Sequence, residues 1–233
     1  MRTAEILTSS FVVVGDFNPA IISPDWLEKN DLIGKEDADV AREGSQGRPM
    51  LVSHQVAVYE TGWFALQVLD TQFSLTSKGA FSPATKDLAA GIFQLVPHTP
   101  VTAVGLNFLA HFKLESEDEY NQVGDVLAPK KIWDTLYPDE RTGLTDLTIQ
   151  VQPGIRGEPL ETKSEKCISV RPSNKIKYGI FLSYNDHHDL SDEDKIDLKP
   201  AELVAGIIDS EWESSWHDAL RVFDVLLSMS LEK

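Results

Sequence analysis

The chain has 233 residues, of which 37 are acidic and 21 are basic, so its formal net charge at neutral pH is −16. Hydrophobic residues make up 42% and charged residues 25%, as in an ordinary folded domain. This composition excludes a mainly disordered chain. The negative excess argues against direct binding of duplex nucleic acid, because that function needs positive surface to neutralise phosphates.

The first hundred residues show strand, helix and hairpin patterns. Runs rich in β-branched residues predict the strands, and Ser-Pro pairs predict helix starts, since serine caps the helix and proline suits its first position. Glu60–Gly62 is a short turn that can join two strands as a hairpin. The predicted elements are, in chain order, a strand over 7–14, a helix from 23–24, a polar surface loop over 34–49, strands over 50–59 and 63–76, and a helix over 83–96.

The second half repeats much of this order. It starts with a long, mostly apolar strand and ends with a helix opened by Pro200, whose apolar residues recur at helical spacing. The predicted elements are a strand over 101–114, an acidic helix over 115–127, a short helix at 131–133, strands over 144–152, 166–171 and 176–185, and a helix over about 200–230.

The similar order of elements predicts an internal duplication, with halves 1–100 and 101–233 inside a single domain spanning 1–233. Each half has a strand, a helical insertion that contains a tryptophan (Trp26 and Trp133), antiparallel strands and a closing helix. We therefore expect an α+β fold with a largely antiparallel sheet of about seven strands, helices on one face and a long C-terminal helix.

Cysteine content and hydropathy indicate the cellular compartment of the protein. The single cysteine, Cys167, excludes an intrachain disulfide and any cysteine-rich zinc site. No apolar run approaches the roughly 20 residues of a membrane helix, and the first residues do not resemble a signal peptide. We expect a cytoplasmic protein with no membrane partner.

The densest group of metal-ligating residue types is Asp186, His187 and His188, directly after a predicted strand. Imidazole and carboxylate groups together can bind zinc, manganese or iron, and His54 and His111 on other strands are candidates to complete the site. Adjacent histidines point to opposite sides of an extended backbone, however. The alternative is a solvated polar loop between the last strand and the last helix.

One face of the strand over 101–114 carries Gly105, Asn107 and His111. Polar residues at this spacing could line a groove that glycine opens to a ligand, or the face could simply meet water. The chain lacks the common phosphate-loop, dinucleotide, nucleophile-elbow and zinc-protease motifs. This absence favours a non-enzymatic protein, and no cofactor is predicted.

The terminal helix has an apolar stripe and an acidic remainder, and residues 190–233 hold 11 acidic and 4 basic side chains. One interpretation is a helix that packs on the sheet with a solvated acidic back. The other is a docking helix that binds a protein partner or a second copy. In that case aromatic anchors would mediate the contact, and the candidates are Trp212, Trp216, Trp26 and Trp133.

Three segments show a hairpin, a helix and a Gly-Leu-Asn strand: Trp63–Val68, Phe93–Val96 and Val104–Phe108. Together they resemble a sporadically distributed group of uncharacterised bacterial α+β proteins. The resemblance implies this fold class and a bacterial or mobile-element origin, and it brings no catalytic residues.

Three functional hypotheses follow. The first is a non-enzymatic interaction or accessory subunit of a bacterial multiprotein system, linked to defence or to mobile elements. The second is a metal-dependent enzyme with a site at 186–189. The third is an acidic inhibitor that mimics DNA and occupies the groove of a basic partner.

Overall fold

A computed structural model describes residues 2–44, 49–79, 82–154, 164–191 and 200–231. The described strands are β1 (Ile6–Gly15), β2 (Leu51–Val52), β3 (Val56–Glu60), β4 (Phe64–Leu69), β5 (Gln72–Ser77), β6 (Val101–Lys113), β7 (Leu147–Val151), β8 (Ser164–Pro172) and β9 (Gly179–Asp189). The helices are α1 (Pro24–Lys29), α2 (Lys35–Glu43), α3 (Pro83–Leu95), α4 (Glu117–Leu127), α5 (Lys131–Leu136) and α6 (Pro200–Leu231).

The nine strands form one antiparallel sheet in the order β2-β3-β4-β5-β1-β6-β9-β8-β7. The α+β class and the long C-terminal helix are confirmed. The central strands β1 and β6 pair along most of their length, and the order β1-β5-β4-β3 on one side corresponds to β6-β9-β8-β7 on the other. The duplication of the two halves stays a prediction.

The described part of the chain has nine strands in the sheet instead of about seven, because two predicted strands each contain a turn. Residues 63–76 form β4 and β5, which separate at Asp70 and Thr71. Residues 50–59 form β2 and β3, which separate at Ser53, whose hydroxyl accepts hydrogen bonds from the amides of Gln55 and Val56 at 3.2 Å. Strong strand-forming residues on both sides of each turn hide it in the sequence pattern.

A second correction concerns the segment 34–49, which the sequence predicts to be a loop and of which residues 45–48 lie outside the described residues. Residues 35–43 form α2, which buries only the small side chains of Ala38 and Ala41. Arg42 near its end contacts Asp25 at 2.7 Å and also pairs with Glu28, so charged groups tie α2 to α1. Two buried alanines among polar residues produce little apolar periodicity, and the helix is therefore difficult to detect from sequence.

Serine caps begin α1 and α3 where the sequence predicts. Ser23 accepts a hydrogen bond from the amide of Trp26, and Ser82 accepts one from Thr85. Pro24 and Pro83 occupy the next position in each case. Each cap satisfies an amide that has no partner inside the helix.

The two longest helices pack on the same face of the sheet. Phe73 on β5 contacts Phe93 of α3, with ring centroids 5.0 Å apart. The ring of Trp212 on α6 lies 4.1 Å from that of Phe11 and 4.8 Å from that of Phe108. Strand register places these phenylalanines on one face, which forms the core. We call the opposite face of the sheet the open face.

The burial of Trp212 predicts a large loss of stability when its side chain is removed. Trp212 is fully buried, so Trp212→Ala is expected to lower the free energy of unfolding by about 3–5 kcal/mol. Trp133→Ala removes a half-exposed indole and is expected to change it by less than about 1 kcal/mol. Urea unfolding measures both values.

Trp212→Phe keeps an aromatic ring in the same space and should unfold cooperatively with a smaller loss, so the comparison does not depend on a folded alanine variant. Equal stability of Trp212→Ala and Trp133→Ala would contradict the assignment of Trp212 to the core.

Candidate interaction surface

A polar network joins α6 to the core face of β8 and β9. The Asp218 Oδ2 atom accepts hydrogen bonds from Lys166 Nζ and from the Tyr184 hydroxyl, each at 2.7 Å. Arg221 donates to its other oxygen at 2.6 Å. The carboxylate of one helix residue therefore binds three donors, two of which lie on strands. The network fixes the position of α6 on the sheet and points to no substrate.

The network changes two pKa values. Partial burial of Asp218 acts to raise its pKa, but the hydrogen bonds from Lys166, Tyr184 and Arg221 outweigh it and lower the pKa from 3.8 to about 2. The pKa of Tyr184 is raised by burial and by the hydrogen bond to Asp218. The carboxylate and the phenol thus keep complementary protonation states across the neutral pH range.

A second buried polar group lies beside this network. The Asp186 carboxylate accepts a hydrogen bond from the hydroxyl of Ser215 on α6, and its other oxygen lies 3.4 Å from His188 Nε2. In a hydrolase triad the imidazole lies between the serine and the carboxylate, whereas here the carboxylate lies between the other two. The arrangement therefore differs from a hydrolase triad, and the bond from Ser215 to Asp186 forms a second attachment point for α6.

The histidines predicted to bind a metal do not come together. The predicted loop at 185–189 is part of β9, which remains paired with β6 as far as Asp189. His188 therefore lies on the core face and His187 on the open face, because consecutive strand residues alternate. Among the described residues, no group of three or more histidine, cysteine, aspartate or glutamate side chains could hold a metal ion.

The two remaining candidate ligands lie far from Asp186 and His188. His54 is exposed in the turn between β2 and β3, near the opposite edge of the sheet, and not on a strand. His111 lies opposite Phe181, six residues along β9 from His187, which corresponds to about 20 Å. The pKa of His111 is lowered by burial and by Lys175, and its Nδ1 lies 2.8 Å from the Ser173 hydroxyl.

The proposed groove on β6 is occupied by a side chain of the protein itself. Gly105, Asn107 and His111 all lie on the open face, as predicted. A Cβ atom on Gly105 would lie 2.8 Å from the side-chain amide nitrogen of Asn185. That nitrogen donates to the Asn107 Oδ1 atom at 2.6 Å. The glycine thus accommodates an internal amide pair.

The four tryptophans proposed as anchors have different environments. Trp212 and Trp216 are buried, with 0% and 8% exposure, and pack on Phe108, so they are core residues and do not offer surface anchors. Their position in the apolar stripe of α6 is the reason, because that stripe faces the sheet. Trp26 is half-buried against the core. Trp133 on α5 is 48% exposed and is the candidate that a partner can reach.

Trp133 belongs to a larger group of exposed apolar side chains on α5 and on β7. Trp133 and Tyr137 line an open cleft of about 430 Å³ together with Leu147 at the start of β7, so the two elements share one surface. We call this surface the α5–β7 patch. Its exposed members are Ile132, Trp133, Leu136, Tyr137, Ile149 and Val151.

The patch is unusual in its composition and position. Ile132 is 69% exposed and Leu136 is 60% exposed, although leucine and isoleucine are among the residues most often buried. Single exposed apolar residues need no explanation, but a contiguous group of them marks interaction sites. The sequence signal for this site was the short helical segment around Trp133. The exposure of β7 could not be read from its strand-like pattern.

Comparison with known proteins identified no relatives: no protein-family model matches the chain, and no curated protein is significantly similar to it. The resemblance of its hairpin, helix and Gly-Leu-Asn strand to sporadically distributed bacterial proteins therefore stays a hypothesis. None of the helices in the described part of the chain combines the length and the apolar character that crossing a membrane requires.

The network at Asp218 predicts a specific acid sensitivity. Because the folded pKa of Asp218 lies below its ordinary value, the stabilisation is complete above about pH 4 and is lost as the pH falls towards about 2. We expect Asp218→Asn to be less stable than the parent at neutral pH and to lose less stability between pH 4 and pH 2. Urea unfolding as a function of pH measures this difference.

Glu213→Gln is the matched control, since Glu213 is exposed on the same helix. It should keep the pH dependence of the parent. If Asp218→Asn also kept the full acid dependence, the carboxylate would not be the group that loses its partners in acid.

Proposed function

We propose that the protein is a non-enzymatic interaction subunit and that it binds a protein partner through the α5–β7 patch. The observation that carries this proposal is the group of exposed apolar side chains on α5 and β7, two elements that share the cleft lined by Trp133 and Leu147. Burial of such a surface releases ordered water and supplies the driving force of association.

The chemistry of the patch suits a protein partner. Tryptophan and tyrosine are enriched at the centres of interfaces because they bury a large area and lose little conformational entropy. Trp133 and Tyr137 line an open cleft that also contains backbone and side-chain polar atoms of residues 142–146, so a partner can find both apolar contacts and hydrogen bonds there. Ion pairs at the margin, such as Lys130 with Asp125 at 2.8 Å, form a polar rim.

The other polar clusters have structural roles, and this supports the proposal of a non-enzymatic protein. The buried set at Asp186 and Ser215 and the network at Asp218 both attach α6 to the sheet. On the open face, Asn107 and Asn185 bind each other. The metal-dependent alternative required a third ligand beside Asp186 and His188, but His187 lies on the opposite face of the sheet and His54 and His111 lie far along it.

Only the resemblance to sporadically distributed bacterial proteins bears on the biological setting of this function. We propose that the protein acts in a bacterial system whose other components supply the catalytic activity, and a link to defence or mobile elements belongs to the same hypothesis. The acidic surface of α6 gives a second means of partner selection, because charge affects association rates more than affinity.

Site-specific photo-cross-linking in the native cell tests the proposed surface. A photoreactive amino acid at position 133 should form discrete covalent adducts between this protein and its partner. The same amino acid at position 217 is the control, because His217 is exposed on α6 and belongs to the alternative docking helix. Adducts from position 217 alone would overturn the assignment to the patch.

Truncation of the anchor should weaken the association measured with the partner that the cross-link identifies. Because central tryptophans are typical hot spots, we expect Trp133→Ala to cost about 2 kcal/mol or more, or about 30-fold in Kd. His217→Ala should leave Kd within about twofold, and equal effects of the two variants would contradict the role of Trp133.

A further inference from the structure

Among the described strands, one edge strand of the sheet is short and the other is longer. β2, at one edge, has only two residues, and it pairs with β3 through Leu51 and Val52. At the other edge, β7 has five residues and pairs on one side with β8. Among the described residues, no strand pairs with the other side of β7.

The sequence of β7 lacks the usual protection of an edge strand. Natural edge strands carry charges, proline or bulges that prevent pairing with another chain. β7 is Leu-Thr-Ile-Gln-Val, with no charge and no proline, and its pairing with β8 shows a regular register from Leu147 to Val151. A strand with these properties can accept another strand along its free backbone groups.

The two halves of the sheet differ at this position. β7 corresponds to β3 in the strand order, and β3 is covered by β2, which immediately precedes it in the chain. Residues 142–146 immediately precede β7, are described, and are not part of any strand. The place that β2 takes beside β3 is therefore not taken beside β7 by the corresponding segment.

We propose that β7 pairs with β7 of a second copy of this chain, antiparallel and centred on Ile149. The inference rests on the proposed function, because it names the partner of the α5–β7 patch. It commits to a homodimer with two-fold symmetry, in which the same surface of each copy contributes to one interface.

The residue pattern of β7 is complementary to itself in this register. Ile149 of one copy lies opposite Ile149 of the other, Leu147 lies opposite Val151, and Thr148 lies opposite Gln150. Leu147, Ile149 and Val151 share one face of the sheet, so all apolar side chains of both strands meet on that face. The polar pair lies on the open face, where water reaches it. Directly opposed side chains are the unit of stabilisation in a sheet.

The exposed fractions match this arrangement. Ile149 and Val151 are on the core face of the sheet, yet they are 50% and 44% exposed because β7 lies at its edge. A second β7 would bring its own Leu147, Ile149 and Val151 against them. A five-residue strand spans only about 17 Å, so the apolar side chains of α5, including Trp133, are needed to reach the area of a stable dimer.

The charges around the strand permit this contact, although each copy carries a net charge of −16. Asp146 next to β7 pairs with Arg171 at 2.8 Å, and Gln150 binds Glu165. The excess negative charge is concentrated elsewhere, notably on α6. Long-range repulsion between two acidic copies should oppose association, and salt should screen it. Binding to a basic partner, such as a DNA-binding protein, would instead become weaker as the salt concentration rises.

Sedimentation equilibrium of the full chain at about 0.05 M and about 0.5 M NaCl tests the proposal. We expect a monomer–dimer equilibrium whose Kd is lower at the higher salt concentration. Ile149→Lys places two positive charges opposite each other at the symmetry axis and should raise Kd about tenfold or more. Gln150→Lys is the matched control, one residue away on the open face, and should change Kd by less than about threefold.

Disulfide formation between engineered cysteines of two copies reports the register directly. The parent for these variants has Cys167 replaced by serine. In an antiparallel pair centred on Ile149, the two Cα atoms at this position are about 4.5–5.5 Å apart, within the range of a disulfide. Ile149→Cys should therefore form a disulfide-linked dimer under mild oxidation. Gln150→Cys should not, because its copies lie diagonally, beyond about 7 Å.

The outcomes separate this inference from the proposed function. The homodimer is overturned if the parent protein stays monomeric at a concentration of about 100 μM and Ile149→Cys forms no disulfide-linked dimer. If the photoreactive residue at position 133 then captures a different protein, the patch remains an interaction surface. Failure of both experiments overturns the proposed function as well.

Discussion

The packing of Trp212 between Phe11 and Phe108 is the interaction on which the rest of the structure depends. Phe11 lies on β1 and Phe108 lies on β6, so one indole covers the junction between the two halves of the sheet. An aromatic side chain of this size buries more apolar area than any aliphatic one, which explains why the terminal helix can stabilise strands from both halves at once.

Electrostatic contacts then determine where α6 lies along the sheet. Apolar packing is not directional, and a helix can slide on a sheet with little change in buried area. Hydrogen bonds to Asp218 and from Ser215 do not tolerate such movement, because they require donor and acceptor within about 3 Å. Most other acidic groups of α6 point to solvent, and this division accounts for much of the negative charge without assigning it a ligand.

Part of the exposed apolar surface lies at the edge of the sheet, where α6 does not reach. β9 and β6 lie beneath the helix, whereas β7 is two strands further out, beyond β8. Side chains that would be core residues in the middle of the sheet are therefore half-exposed at its edge, as Ile149 and Val151 show. The short helix α5 adjoins β7 at the cleft lined by Trp133 and Leu147, and its own apolar side chains are exposed as well.

Local sequence patterns determined the class of fold, most helix positions and the capping serines, because these depend on interactions between residues close in the chain. They also indicated Trp133, yet they could not distinguish it from Trp212, since both follow helical patterns. Burial is a property of the assembled sheet, and only the tertiary structure decided it. The same holds for Asp186, His187 and His188: strand pairing as far as Asp189 separates neighbours in sequence onto opposite faces. The open edge at β7 was likewise decided by strand order, which no single strand encodes.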